Sequence, residues 1–210
     1  MADGDYDELV KVVQAIEDAH PEWTLGQPVA NVVGGPTKRG LYPVKHKVPM
    51  LSLDNVFSAA ELQDVMRSWK TEPEDVCDVS YKYDGLACSL TYLDQRLVEA
   101  ATRGDRFEGE SILHNIYGFD SVPKSLPTQA PDHIEVRGEL VLFNDEFEAY
   151  NARLVALGKP PAVNPRNAAA GLARRLKQDK LPGAQLVFFP YSVIYHSGGR
   201  PETFGETMLE

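Results

Sequence analysis

Apolar residues recur every three to four positions in several stretches of the chain, a spacing that predicts amphipathic helices. The clearest helix begins at Ser58, which forms a capping-box pattern with Glu61, and is expected to reach about Lys70. Its predicted buried face consists of Leu62, Val65, Met66 and Trp69. The other predicted helices cover residues 5–19, 110–117, 145–157 closed by Gly158, and 164–176 with Asn164 as cap and Pro165 in first position.

Short segments rich in apolar and β-branched residues lie between these helices, as is typical of β-strands. They cover residues 75–81, 86–92, 97–102, 133–142 and 186–195, with 93–96 as a turn. Residues 27–42, rich in glycine and proline, are interpreted as a linker. Because hairpins predominate over regular βαβ alternation, we expect an α+β domain with antiparallel sheets.

The stretch Val79–Leu86 places Lys82, Asp84 and Gly85 at the predicted turn between two strands. Glycine at such a turn allows a ligand to approach the backbone closely. A lysine that is desolvated or lies near another cation can act as a nucleophile. The alternative is an ordinary hairpin with a surface Lys–Asp pair.

Composition sets the broad class of the protein. The chain has 210 residues, 43% of them hydrophobic, which is enough for one domain with a real core. Its apolar runs are shorter than a membrane span and its start is acidic, so the expected compartment is the cytoplasm. Cys77 and Cys88 fall in neighbouring predicted strands and are interpreted as a reduced pair.

Charge is distributed unevenly along the chain, whose net charge of −10 argues by itself against nucleic-acid binding. Residues 1–30 carry seven acidic side chains and one lysine, whereas residues 151–180 carry seven basic side chains and one aspartate. Two such segments suggest two different partners, and the alternative is two solvated faces.

Five sequence blocks occur in order along the chain: His46–Asn55, Lys82–Gly85, Ala101–Asp105, Glu135–Glu139 and Asn164–Gly171. Together they resemble the adenylation domain of bacterial NAD-dependent DNA ligases, and the resemblance runs from about Asp3 to the last residue. It implies a nucleotidyltransferase (ATP-grasp-like ligase) fold, incomplete at its C-terminal end. Residues 1–40 would be a remnant of the nicotinamide mononucleotide-binding domain with a linker, and 41–210 the N-terminal portion of the adenylation domain.

The resemblance implies a chemical role for the lysine. Lys82 would attack the α-phosphate of NAD, expel nicotinamide mononucleotide and become lysyl-AMP, with Mg²⁺ as a further cofactor. The adenylate would then serve to seal nicks in duplex DNA, as replication and repair require. Asp84 would orient the ammonium group or help to hold the metal, and its alternative role is to shape the turn.

Further residues match the positions that bind the nucleotide in this family. Ser52 and Leu53 match the lining of the adenosine pocket, although Leu53 could equally belong to the core. Arg103 and Glu139 match contacts to ribose and phosphate, for which a planar donor fork and a carboxylate are suited. Their alternative is a structural ion pair, for instance with Arg137.

Three residues near the N-terminus and two arginines near residue 170 complete the implied site. Asp3, Tyr6 and Asp7 match the family's nicotinamide mononucleotide contacts, and their alternative is an acidic helix start favoured by the helix dipole. Arg166 and Arg174 match DNA contacts near the nick, and they would lie roughly 80° apart around a helix. The alternative is that both are solvated surface arginines.

The chain also departs from the family pattern. Ser80 stands where the family has the glutamate that reads the adenine amino group, so that Ser80 would have to form this contact. Arg106 follows Gly104-Asp105 where the family has a second glycine. The later lysine-containing blocks do not occur, and no OB-fold region follows.

These departures define three hypotheses. In the first, the chain is the lysine-bearing half of a split NAD-dependent ligase, such as a two-subunit bacteriophage enzyme, and a second subunit carries the rest of the adenylation domain and the OB-fold. In the second, it is a catalytically inert ligase half that binds DNA or assists assembly. The third, an ATP-dependent ligase or capping enzyme, fits the blocks at Asp3–Asp7 and Asn164–Gly171 less well.

Overall fold

The computed structural model describes residues 9, 12–13, 15–23, 41–52, 55–70, 75, 79–176 and 183–195. Of the predicted helix over 5–19, the described residues are helical, and a short 3₁₀ turn, Pro21–Trp23, follows them. Cys77 and nearly all of the predicted linker lie outside the described residues. Cys88 is a buried free thiol, and burial raises its pKa.

Two antiparallel sheets organise the described residues, which confirms the α+β prediction. The larger sheet has the strand order β3-β2-β5-β6 and consists of β2 (Leu86–Leu93), β3 (Arg96–Thr102), β5 (His133–Val141) and β6 (Val187–Tyr195). The smaller sheet pairs β1 (Pro43–Lys45) with β4 (Glu108–Glu110). A two-residue turn joins β2 to β3, and the positive φ angles of Asp94 and Gln95 are those that a type I′ hairpin requires.

The larger sheet has one apolar face and one polar face, because successive side chains along each strand point to opposite faces. Cys88, Leu90 and Tyr92 on β2 lie beside Gly138, Val136 and Ile134 on β5, and this face forms the core. Ser89 and Thr91 lie beside Arg137 and Glu135 on the opposite face. Glu139 belongs to this polar face by the same alternation.

Among the described residues, four further helices accompany the sheets: α1 (Ala59–Ser68), α2 (Leu113–Ile116), α3 (Asn144–Ala156) and α4 (Pro165–Ala173). Residues of α2, α3 and α4 pack against the apolar face of the larger sheet. The predicted caps of α4 are confirmed, since Asn164 accepts a hydrogen bond from the Asn167 N–H and Pro165 is the first helical residue. Gly158, with φ of +67°, closes α3 as predicted.

Two predictions around the central lysine and α1 are wrong. Asp75 and residues 79–81 have no regular structure, so the strand expected over 75–81 is not formed in the part of it that is described. The capping box at Ser58 is confirmed by the hydrogen bond from the Glu61 N–H to Ser58 Oγ. The face of α1, however, contains no buried residue, and Leu62 and Trp69 are exposed, because no other described element covers it.

Two helix boundaries also differ from the prediction. The helix expected over 110–117 is limited to α2, because Glu110 pairs with Pro43 in the smaller sheet and Ser111 bridges to Ala101. The last helix ends at Ala173 rather than near Leu176, and Arg174 is its C-cap residue. Arg174 therefore lies at the helix end, so the expected angle between it and Arg166 around one helix does not apply.

Candidate active site

The loop that contains Lys82 lies directly against β5. Gly85, at the end of this loop, is buried, and its N–H donates a hydrogen bond of 3.1 Å to Glu139 Oε1. A Cβ atom on Gly85 would lie only 2.1 Å from the carbonyl oxygen of Leu140, so no larger residue fits without a shift of the backbone. This contact brings the Lys82 loop to Glu139, although the two segments are distant in sequence.

Three cationic side chains act on the Glu139 carboxyl. Burial raises the pKa of the Glu139 carboxyl, whereas the Gly85 N–H and then the charges of Arg166, Lys82 and Arg103 act in the opposite direction. Burial outweighs these four groups, so the carboxyl keeps its proton to a higher pH than usual. The structure thus brings Lys82, Arg103, Glu139 and Arg166 into one cluster.

Asp84 lies in the same cluster through an ion pair with Arg166. The distance from Arg166 Nη1 to Asp84 Oδ1 is 3.0 Å, and the two side chains are 50% and 60% exposed. Arg166 was predicted as a DNA contact, and the structure places it beside the Lys82 loop. The start of α4 and the lysine loop therefore form one continuous surface.

Tyr83 provides a second anchor for this loop. Its ring stacks on Phe189 of β6, with 3.9 Å between ring centroids and 16° between ring planes. Phe143 contacts the Phe189 ring edge-on at 6.0 Å. Because Tyr83 separates Lys82 from Asp84 in sequence, the stack restricts the backbone from which both side chains project.

Tyr191 is a further candidate site residue, which no sequence motif had indicated. The register between β5 and β6 shifts between Arg137 and Gly138, so Tyr191 is an unpaired bulge residue. Burial raises its pKa to about 12, and the charge of Glu139 adds to this effect, which places Tyr191 near the cluster. The available signal was Pro190, since proline inside an apolar strand indicates an edge or a bulge, and bulges are common beside active sites.

Arg137 binds the polypeptide that precedes Ser52. Its Nε donates to Glu135 Oε1 at 2.7 Å, Nη1 donates to the Pro49 carbonyl at 2.9 Å, and Nη2 donates to the Val48 carbonyl. Arg137 and Glu135 are both buried. The suggested ion pair between Arg137 and Glu139 is therefore not formed, and Arg137 holds residues 48–49 over the polar face of the sheet.

The turn after Arg103 has an unusual backbone. Gly104 has a φ of +57° and Arg106 a φ of +86°, a region that non-glycine residues seldom adopt. Asp105 caps the turn by accepting hydrogen bonds from the N–H groups of Glu108 and Phe107, which lower the pKa of its carboxyl. The turn fixes the position from which Arg103 reaches the cluster.

Arg174 lies in a different environment from Arg166. Its guanidinium forms two hydrogen bonds with the carboxylate of Glu110, one of them from Nη2 to Oε1 at 2.9 Å. The Glu110 side chain is only 6% exposed, against 33% for Arg174. Asn115 donates to the carbonyls of Ala173 and Arg175, so the end of α4 is held by side chains from β4 and α2.

For two further predicted site residues no contact with the cluster is found, and four others fall outside the part of the chain that the structure describes. Ser52 and Ser80 are exposed, and no hydrogen bond to the cluster is found for either. Asp3, Tyr6, Asp7 and Leu53 lie outside the described residues.

The described residues contain no group of three or more His, Cys, Asp or Glu side chains that could hold a metal ion. Magnesium commonly uses one or two protein carboxylates together with substrate phosphates. Asp84 and Glu139 therefore suit a Mg²⁺ ion that is bound jointly with a phosphate. Within the described ranges, no helix is long and apolar enough to cross a membrane.

The antiparallel sheet with helices on one face, and the lysine loop held to a glutamate on the other, correspond to part of a nucleotidyltransferase-type ligase domain. Comparison with known proteins agrees. Residues 39–209 match the model of the NAD-dependent DNA ligase adenylation domain. The chain belongs to this family.

Bacterial relatives named DNA ligase cover almost the whole chain. That of Pelobacter propionicus is 40% identical over 90% of the chain, and that of Nitrosococcus oceani is 41% identical over 99%. The relative from Neisseria gonorrhoeae is 40% identical over 94%. The chain spans only 28%, 32% and 25% of the lengths of these three relatives.

Proposed function

We propose that this chain is the lysine-bearing component of an NAD-dependent DNA ligase that seals nicks in duplex DNA. The proposal rests on the hydrogen bond from Gly85 to Glu139, which holds the Lys82 loop among Arg103, Glu139 and Arg166. Nucleotidyl transfer needs a nucleophile, an acceptor for sugar hydroxyls and positive charge at the phosphate, and this cluster contains groups of each kind.

In the proposed reaction, the neutral Lys82 amine attacks the α-phosphorus of NAD. A P–N bond forms, the P–O bond to nicotinamide mononucleotide breaks so that this group leaves with its phosphate oxygen, and the proton of the attacking nitrogen passes to solvent. The charge of Arg103, and that of Arg166 while it stays paired with Asp84, would stabilise the negative charge that develops on the phosphoryl group. Glu139 would accept hydrogen bonds from the ribose hydroxyls, and Tyr191 would provide an aromatic surface beside it.

The adenylate would then move from Lys82 to the 5′-phosphate at a nick, and the 3′-hydroxyl would displace it. When bound, Mg²⁺ would neutralise phosphate charge, with Asp84 and Glu139 as the available carboxylates. Arg166 and Arg174 would contact DNA phosphates. We further propose that a second subunit supplies the remaining adenylation-domain and OB-fold segments, as in a split phage ligase.

Ligation of a nicked duplex by the chain together with these segments tests the proposal. We expect sealing with NAD but not with ATP, and loss of sealing with Lys82→Arg. An enzyme that seals equally well with this variant would support the second candidate, an inert ligase half. The exposed Ser80 favours that candidate, because a serine there replaces the glutamate expected to read adenine.

A further inference from the structure

Arg166 of α4 and Arg174 at its C-cap are both proposed to contact DNA. Their carboxylate partners differ in exposure to solvent. Arg166 pairs with Asp84 through one hydrogen bond, and both side chains are at least half exposed. Arg174 pairs with Glu110 through two hydrogen bonds, and the Glu110 carboxylate is buried. An exposed pair held by one hydrogen bond contributes little to stability, whereas a pair with a buried carboxylate is costly to break.

The position of Arg166 in α4 is unfavourable by itself. It is the second residue of the helix, where the N–H groups and the helix dipole repel a cation, and no acidic residue of the first turn compensates. Asp84 supplies the missing negative charge from the lysine loop. The same location would also suit an arginine that binds a phosphate from outside the protein.

We propose that Asp84 and a DNA phosphate compete for Arg166. Without DNA, Arg166 is held by Asp84. When a nicked duplex binds, a phosphate takes Arg166, and the Asp84 carboxylate beside Lys82 is released. Arg174 does not exchange, because Glu110 holds it in both states. This inference rests on the proposed function and adds a regulatory step to it, since nick binding changes the charge next to the nucleophile.

Competition has an unusual consequence for DNA affinity. Removing the charge of Asp84 must strengthen nick binding, and it must do so only when Arg166 is present. A general loss of negative charge would strengthen binding with or without Arg166. A double-mutant cycle separates the two effects.

The experiment measures the dissociation constant of the full chain for a fluorescent nicked duplex at low salt. It compares the natural protein, Asp84→Asn, Arg166→Met and the double variant. We expect Asp84→Asn to bind about three- to fivefold more tightly in the natural background, the upper part of the range that an exposed ion pair supplies. In the Arg166→Met background the same change should have no effect.

Asp64→Asn is the matched control. It also removes one negative charge and breaks an exposed ion pair, Asp64–Arg67 at 2.7 Å, but that pair lies on α1. Its effect on binding should stay below about twofold and should be equal in both backgrounds.

Weaker or unchanged binding by Asp84→Asn would overturn the exchange, as would an equal gain in both backgrounds. Failure of the natural chain to bind better than Arg166→Met would also overturn it. Adenylation of Lys82 by NAD is measured separately on the natural chain. Its absence would show that the proposed function has failed as well, whereas its presence would confine the failure to the exchange.

Discussion

Opposing effects act on the pKa of the Glu139 carboxyl. Burial favours its neutral form, while the Gly85 N–H and three cations favour its charged form, and burial has the larger effect. The folded protein therefore holds the Glu139 proton more tightly than the unfolded chain does. The carboxylate thus costs stability at neutral pH, which is common for groups that serve a site rather than the fold.

The variant Glu139→Gln tests this cost through its pH dependence. Below the ordinary carboxyl pKa of 4.5 both states are protonated, and the cost is absent. As the pH rises above 4.5, the unfolded chain releases this proton first and the stability of the natural protein falls. Urea unfolding at about pH 4 and about pH 7 should show a growing advantage of the variant. An advantage that is equal or smaller at the higher pH would contradict this explanation.

The backbone at Arg106 is strained. Its φ of +86° is favourable only for glycine. Arg106→Gly and Arg106→Ala remove the same side-chain contacts, but only glycine relieves the strain. We expect the glycine variant to be more stable than the alanine variant by about 1 kcal/mol in urea unfolding. Equal stabilities would show that the turn is not strained at this residue.

The elements that carry the site were predictable to different degrees. The hairpin of β2 and β3 and the caps of α4 depend on local residues, so the sequence predicts them within a residue or two. The segment before Lys82 was predicted as a strand because it is apolar, yet the structure fixes this loop by contacts with distant residues, namely Glu139, Leu140 and Phe189. Tyr191 was missed for the same reason, since a bulge depends on the neighbouring strand.

Gly85 tests the packing of the lysine loop on β5. In Gly85→Ala the new Cβ would meet the Leu140 carbonyl at 2.1 Å, so the loop or the strand must shift. We expect a loss of about 1–3 kcal/mol in the free energy of unfolding, together with loss of Lys82 adenylation.

Gly171→Ala is the matched control for this substitution. Gly171 lies within α4, and nothing lies within 4 Å of its added Cβ atom. Helix propensity then predicts a gain of about 0.5–1 kcal/mol in the unfolding free energy. If both variants lost stability equally, the close approach of Gly85 to β5 would not be the cause.

At the scale of the whole molecule, the net charge and the local charge at α4 have opposite effects on DNA binding. A protein of net charge −10 repels DNA at long range, whereas Arg166 and Arg174 present positive charge at α4. Short-range phosphate contacts must therefore supply the affinity. The number of such contacts determines how steeply binding weakens with salt.

The salt dependence of nick binding counts these contacts. Replacing Arg166 by methionine should lower the slope of log affinity against log salt by about one. Fluorescence anisotropy with a nicked duplex over a series of salt concentrations gives the slopes. An unchanged slope for Arg166→Met would remove this residue from the interface.

The most direct measurement is the intact mass of the protein after incubation with NAD and Mg²⁺. It is made on the chain alone and with the remaining ligase segments, for the natural protein and for Lys82→Arg. We predict a gain of one adenylate that maps to the peptide containing Lys82 and is absent from the variant. A gain that persists in Lys82→Arg, or no gain in either condition with the fold intact, would contradict the assignment of Lys82 as the nucleophile.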